Sequence, residues 1–399
     1  MHRIFVSLMF CAPAFAQMAG MNMSMNDTGM YLMRLASGTS QNAQAAPMPM
    51  IMAHLGSWQT MLMGQAFIVD TQQTGPRGAD KFYSANTFMA MAQHSIGEKA
   101  TFQVELMLSL EPATITGERY PELFQTGESA YGHPLIDAQH PHNFIMALAF
   151  HYTRQLSEHT LVDLYFAPVG DPALGPVAFP HRASAAEIPQ APLSHHWQDS
   201  THIAYEVVTG GISHDKFRVE ASGFYGTEPG ENRWTIETGP INSWSARAWY
   251  FPSANWAAQV SVGRLTHPEA LQPGDVVRST ASLAYSRGGS STSFIWGRNH
   301  STATHRDLNS YLIESVVPIA RKNFITGRAE LVDKDELSVP GVYRIGAYVI
   351  GYTRDVLTMA HAAAGLGANF TAYSMPGSLD RVYGNHPVAV NVFLRLRLR

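Results

Sequence analysis

The sequence predicts an all-β fold, a single antiparallel transmembrane β-barrel of about 16 strands (about 14–18). Three observations carry that reading. Segment after segment alternates apolar and polar residues with period two. The gaps between these segments alternate between short and long. The chain opens on a stretch with the pattern of a secretory signal, and no other apolar run approaches the roughly 20 residues that a helical span needs.

The alternation is plain in several places. In Phe102–Leu110, Phe102, Val104, Leu106, Leu108 and Leu110 share one face, opposite Gln103, Glu105, Met107 and Ser109. In the last segment Val388, Val390, Val392, Leu394, Leu396 and Leu398 alternate with Ala389, Asn391, Phe393, Arg395, Arg397 and Arg399. Trp244–Tyr250 turns through Pro252-Ser253-Ala254-Asn255 into Trp256–Val262, a hairpin with a tight turn. Sixteen segments read this way: 55–70, 84–94, 98–111, 143–154, 158–168, 200–210, 215–226, 242–251, 255–265, 276–288, 290–300, 308–318, 322–332, 342–354, 358–373 and 386–399. Short gaps fit periplasmic turns and long gaps fit outer loops. Aromatic residues near segment ends, such as Trp58, Tyr165, Tyr250, Trp296 and Tyr352, suit interface girdles.

The first residues place the barrel in a compartment. Arg3, an apolar run from Ile4 to Cys11 and Ala14-Phe15-Ala16 predict a signal peptide over 1–16, cut before Gln17. Residues 17–54 read as a Met-rich, largely disordered periplasmic leader, and 55–399 as the barrel, with long loops 112–142 and 169–199. The expected site is the bacterial outer membrane, with its lipid as the surrounding partner. Charged residues are 15 %, below the soluble average of about 25 %. A net charge of −4 without a basic stripe argues against a nucleic-acid partner. The single cysteine, Cys11, lies in the expected signal, so thiolate chemistry is excluded and a soft-metal site must use Met and His.

Two constellations have the residue types for metal chemistry. Thirteen of the 19 Met fall in the first 63 residues, including Met21, Met23 and Met25, then Met48, Met50 and Met52. Thioethers at alternate positions can wrap a soft ion such as Cu(I). Alternation also sets Met61 and Met63, Met89 and Met91, and Met107 on the polar, lumen-facing side of neighbouring strands. The second constellation is histidine. His140 and His142, or His195 and His196, would begin a site completed by Asp137 or Asp199. The competing reading is that Met fills irregular gaps and that these His bond to backbone. Glu105, Arg218, Glu220, Arg247, Arg328 and Glu330 should face the lumen as ion pairs or selectivity charges. Loop acids Glu228, Glu231, Asp333, Asp335 and Glu336 read as a solvated rim.

The motifs Tyr131-Gly132-His133-Pro134, Asp137-Ala138-Gln139-His140-Pro141-His142, Pro168–Pro176, His195–His202 and Phe393–Arg397 resemble a family of uncharacterised bacterial outer-membrane proteins. That resemblance covers about residues 55–399 and implies a barrel without an assigned activity. In architecture, a Met-rich leader before a barrel is similar to the copper-resistance B outer-membrane proteins.

The expected function is therefore binding, resistance or transport of copper, with copper as the implied metal and periplasmic metal carriers as partners. The alternative is a general porin-like channel or a structural barrel. No enzyme is expected. Ser200, His202 and Asp199 have the residue types of a hydrolase, yet Ser200 and His202 would point the same way from one strand, and no GxSxG occurs.

Overall fold

The computed structural model describes residues 28–399. Strands β1 (Ile51–Leu55), β2 (Trp58–Gln73), β3 (Lys81–Ile96) and β4 (Ala100–Leu108) come first. β5 (Tyr120–Ala130), β6 (His133–Gln139), β7 (Ile145–Gln155), β8 (Thr160–Gly170), β9 (Ala204–His214) and β10 (Phe217–Tyr225) follow. Next are β11 (Ser243–Tyr250), β12 (Trp256–Leu265), β13 (Val276–Arg287), β14 (Ser290–Ser301) and β15 (Asp307–Ile319). β16 (Asn323–Lys334), β17 (Tyr343–Thr358), β18 (Ala362–Ser374) and β19 (Val388–Leu398) complete the chain. Three short helices shape the interior: α1 (Thr28–Met33), α2 (Glu111–Thr114) and α3 (His195–Gln198).

All of these strands except β1, β5 and β6 form one closed antiparallel barrel of 16 strands. β19 closes it against β2, in register from Ala389↔Gln73 to Arg397↔Gln65. Closure leaves no unpaired edge, which lipid requires because it offers no water to unpaired backbone groups. Each of the sixteen segments read from alternation overlaps one barrel strand. β1 was not anticipated. It forms a hairpin with the start of β2, Ile51↔Leu62 to Leu55↔Trp58, on the side of β2 where β19 ends. Connections at one end are short, as at 97–99, 215–216 and 288–289. At the other end they include 109–144, 171–203, 226–242, 266–275 and 335–342.

The two faces of the wall differ as period two demands. On β10, Phe217 and Val219 are 59 % and 53 % exposed, while Arg218 and Glu220 between them are buried. Val260, Ile350, Leu366 and Val392 continue the outward apolar band. A closed barrel with an apolar outer surface and a polar inner one is built for the bacterial outer membrane.

The lumen of this barrel is filled. Loop 171–203 folds inward, and nearly every residue in it is buried. Charges fasten it to the inner wall. Arg182 in the loop bonds Glu314 at 2.6 Å and the loop's own Asp199 at 2.9 Å. Glu187 in the loop pairs with Arg395 and, at 3.1 Å, with Arg397. Ser194 donates to Glu330 through its backbone N–H and its hydroxyl, at 2.9 and 2.7 Å. Gly297 permits a close approach: a Cβ there would lie 2.3 Å from the Trp197 carbonyl oxygen. Loop 112–142 does not stay irregular. Its residues 120–139 pair as the β5–β6 hairpin, whose Phe124 stacks on Tyr383, 4.3 Å between ring centroids.

Residues 28–54 correct the expectation of a disordered leader. Leu32, Met33 and Leu35 are buried, Thr28 hydrogen-bonds Thr101 at 2.8 Å, and Tyr31 donates to Asp163 at 3.3 Å. Arg247 on the wall reaches Thr39 at 3.0 Å and the Gly175 carbonyl at 2.8 Å, so it ties this segment and loop 171–203 together. Composition misleads here because Met, Asn, Ser and Gly suit both a linker and a segment that packs by shape.

Removing one partner of a buried pair leaves an uncompensated charge, at a cost of roughly 3–5 kcal/mol. Glu187→Ala is therefore expected to lower stability by about 3 kcal/mol in chemical denaturation of detergent-solubilised protein. It should also raise conductance in planar bilayers as the loop loosens. An unchanged midpoint and conductance would show that the tether is dispensable.

Candidate functional site

The strand register assembles the methionines. Met63, Met89 and Met107 are directly opposite one another across β2, β3 and β4. One rung along, Met61, Met91 and Glu105 do the same. Directly opposed side chains have Cβ atoms about 4.5–5.5 Å apart, so each rung is a row of touching groups. Met33 from α1 and Met146 from β7 join Met61, Met89, Met91 and Met107 as buried members. Met30, Met50, Met52 and Met63 pack against them half-buried. Two cavities adjoin the cluster. One, of about 690 Å³, is lined by Met30, Met33, Met52 and His54 beside the short turn at 97–99. The other, of about 510 Å³, is lined by Met48, Met50, Met63, Met89 and His181. Glu105 ends its rung and lies 3.2 Å from His151 Nε2, with its second carboxylate oxygen unpaired.

The histidines form a second cluster towards the long-loop end. His140 and His196 have ring centroids 6.0 Å apart, and His195 lies 5.3 Å from His196. His202 lies 5.2 Å from His195 and 5.3 Å from His142. All five are buried. Carboxylates orient several of them: Glu111 at 2.9 Å from His142 Nδ1, Asp199 at 2.8 Å from His195 Nδ1, and Glu128 at 2.9 Å from His140 Nε2. His202 Nδ1 donates to the Asp199 carbonyl oxygen at 2.8 Å. This is how proteins prepare metal-ligating imidazoles, with one nitrogen fixed by an acceptor and the other free. The Nε2 atoms of His142 and His202 have no hydrogen-bond partner. His181 links the two clusters, its Nε2 lying 3.2 Å from Met107 Sδ.

Burial pushes His181 and His195 down from 6.5 to about 4, the latter despite Asp199. Burial also lowers His202 and His140. Burial pushes Asp199 up, but Arg182 and His195 outweigh it and hold the carboxylate below its ordinary range. His181 and His195 are thus neutral near pH 7, the form that binds metal.

The structure brings together Met50, Met52, Met61, Met63, Met89 and Met91, and separately His140, His142, His195 and His196. Met48 lies at the second cavity. Met21, Met23 and Met25 lie outside the described residues. Asp137 does not complete the histidine site. It pairs with Arg77 and accepts the Phe124 N–H at 2.8 Å. Among the charged wall residues, Arg218 and Arg247 flank Glu220 at 2.9 and 2.8 Å, and Arg328 bonds Glu314 at 2.9 Å. Ser200, His202 and Asp199 form no relay. The Ser200 hydroxyl bonds Glu228 at 3.1 Å, and Ser200–His202 is a 3-10 turn rather than the start of a strand. Met146, His181, Glu228 and Glu269 were not singled out as site residues, whereas Met107 was placed with the lumen-facing thioethers. The alternation that placed Met89 and Met91 also places Met107; Glu269, in an irregular turn, carried no signal.

No family model matches the chain, and no curated protein matches it. Among solved structures it is similar to an anion-selective porin from Comamonas acidovorans, at TM-score 0.55 and 10 % identity over 85 % of this chain and 99 % of that one. It is equally similar to Salmonella typhi OmpF in complex with daunomycin, at TM-score 0.55 and 9 % identity over 86 % and 100 %. At these identities the likeness is one of fold, a porin-like outer-membrane barrel.

The neutral buried histidines fix the sign of a pH effect. A group whose pKa is lowered on folding contributes stability that is complete above its unfolded pKa and is lost as pH falls through the folded one. His181 and His195 therefore set a window from 6.5 down to about 4. The melting temperature of the metal-free protein should fall across that window. A flat profile between pH 7 and 4, roughly, would contradict the neutral state of these rings.

Proposed function

We propose that this outer-membrane barrel binds a soft monovalent metal, Cu(I), in the methionine cluster and passes it towards the histidines. The observation that carries this reading is the pair of thioether rungs across β2, β3 and β4, with His181 against Met107. Thioether is neutral and soft, so it selects Cu(I) over hard cations without a counter-charge. The cavity beside the short turns offers entry from the periplasmic side. Met21, Met23 and Met25 would then collect the ion, or receive it from a periplasmic carrier, before it reaches Met30 and Met52. The outcome for the cell would be copper resistance or transport.

A porin-like channel is the second reading, supported by the barrel fold that the chain shares with the anion-selective porin. It requires ion conductance that is indifferent to copper.

Leu for Met is a volume-conserving exchange that costs less than about 1.5 kcal/mol per site, so the barrel should survive it. In an anaerobic Cu(I) titration of the full chain in detergent, replacing Met61, Met89, Met91 and Met107 by Leu should weaken binding at least about tenfold, ~1.4 kcal/mol. Replacing Met21, Met23 and Met25 by Leu should slow loading from a Cu(I) donor. Full affinity in the fourfold variant would sink the copper reading and leave the channel.

A further inference from the structure

We propose that His196, Glu228 and Glu269 form a second, chemically distinct site, for a borderline divalent cation of the Zn²⁺ type, at the long-loop mouth of the barrel. It shares no residue with the methionine cluster, and its one residue in common with the histidine cluster is His196. The three residues come from separate segments. His196 is in α3 of loop 171–203, Glu228 in connection 226–242 and Glu269 in connection 266–275. Their ligand atoms all lie within 4.8 Å of one another, and His196 Nδ1 is 3.8 Å from Glu228 Oε1. Ligands at about 2.0–2.2 Å around a tetrahedral ion are about 3.3–3.6 Å apart, so the set needs to close by roughly 1 Å.

A second observation points to a ligand. His196 is 4 % exposed, its Nε2 has no hydrogen-bond partner, and its Nδ1 faces Glu228 at 3.8 Å, beyond hydrogen-bond distance. A buried ring nitrogen left without a partner is a cost that folded proteins avoid. Glu228 Oε2 is likewise buried and unpaired. The ring is held in place by bare backbone, since a Cβ on Gly127 would lie 2.4 Å from His196 Cε1, and Gly127 has φ +120°. Such a gripped imidazole beside two carboxylates has the donor set of a zinc site, one nitrogen and two oxygens with a position open for water.

Glu228 and Glu269 set two carboxylates beside one imidazole, and the buried guanidinium of Arg278, which donates to Ser200 at 2.9 Å, is the one cation facing both of them among the described residues. Because the ligands belong to three outer segments, the bound ion would pin the mouth of the barrel over the histidine cluster.

The test uses the full chain in detergent, stripped with a chelator and then titrated with Zn²⁺, with Co²⁺ as a coloured substitute. One Zn²⁺ per chain is expected, with Co²⁺ giving the absorption of a four-coordinate ion. Glu228→Gln and Glu269→Gln keep side-chain size and hydrogen-bonding capacity, so the barrel should fold. Each should weaken Zn²⁺ binding at least about tenfold, and Gly127→Ala should do so by displacing the ring. Zn²⁺ should also slow proteolysis of the outer connections in the wild type and not in the Glu variants. The fourfold Met→Leu protein should bind Zn²⁺ normally, which separates failure of this site from failure of the copper reading. Absence of stoichiometric Zn²⁺ in the wild type, or undiminished binding in the double Gln variant, would overturn the proposal.

Discussion

The structure depends on pairing charges inside a wall that cannot expose them. Period-two alternation sends Arg218, Glu220, Arg247, Glu314, Arg328, Glu330 and Arg395 into the lumen. A water-filled channel would solvate them. Here loop 171–203 and residues 28–50 enter and supply partners: Glu187 for Arg395, Arg182 for Glu314, Ser194 for Glu330, and Thr39 and Gly175 for Arg247. Breaking such a pair costs several times what a surface pair is worth. The plug is therefore part of the fold, and it brings α1 and α3 to their positions.

Once the lumen is filled, its chemistry is divided by region. The wall of β2, β3, β4 and β7 carries thioethers, neutral and apolar enough to be buried without partners. The long-loop end carries imidazoles and carboxylates, which need partners and find them in each other. Soft and borderline ions prefer these two environments respectively. His181 stands where they meet, its ring against Met107.

The barrel was legible because its signal is local and repeated. Each strand shows one face to lipid and one to the plug, so alternation marks it, as in β13 (276–288 expected, Val276–Arg287 observed). The same rule placed Met61, Met63, Met89 and Met91 on one side. The plug was not legible because inward-folded loops have no period. The β5–β6 hairpin is interrupted by register shifts and by non-glycine residues with positive φ at Phe124, Glu128 and Asp137, which hide its alternation. Glu228 and Glu336 looked like a solvated rim because polar loop residues usually are. Glu228 is buried because His196 and Ser200 of loop 171–203 reach it, and Glu336 is half-buried, tertiary facts that no window of sequence contains.

The central claim is that buried thioethers, with an imidazole beside them, are ligands and not filling. X-ray absorption at the copper edge of the Cu(I)-loaded full chain tests it most directly. Sulfur scatterers around the copper, with a minor nitrogen contribution, are the expected result. A first shell of nitrogen and oxygen alone would contradict the claim and return the methionines to packing.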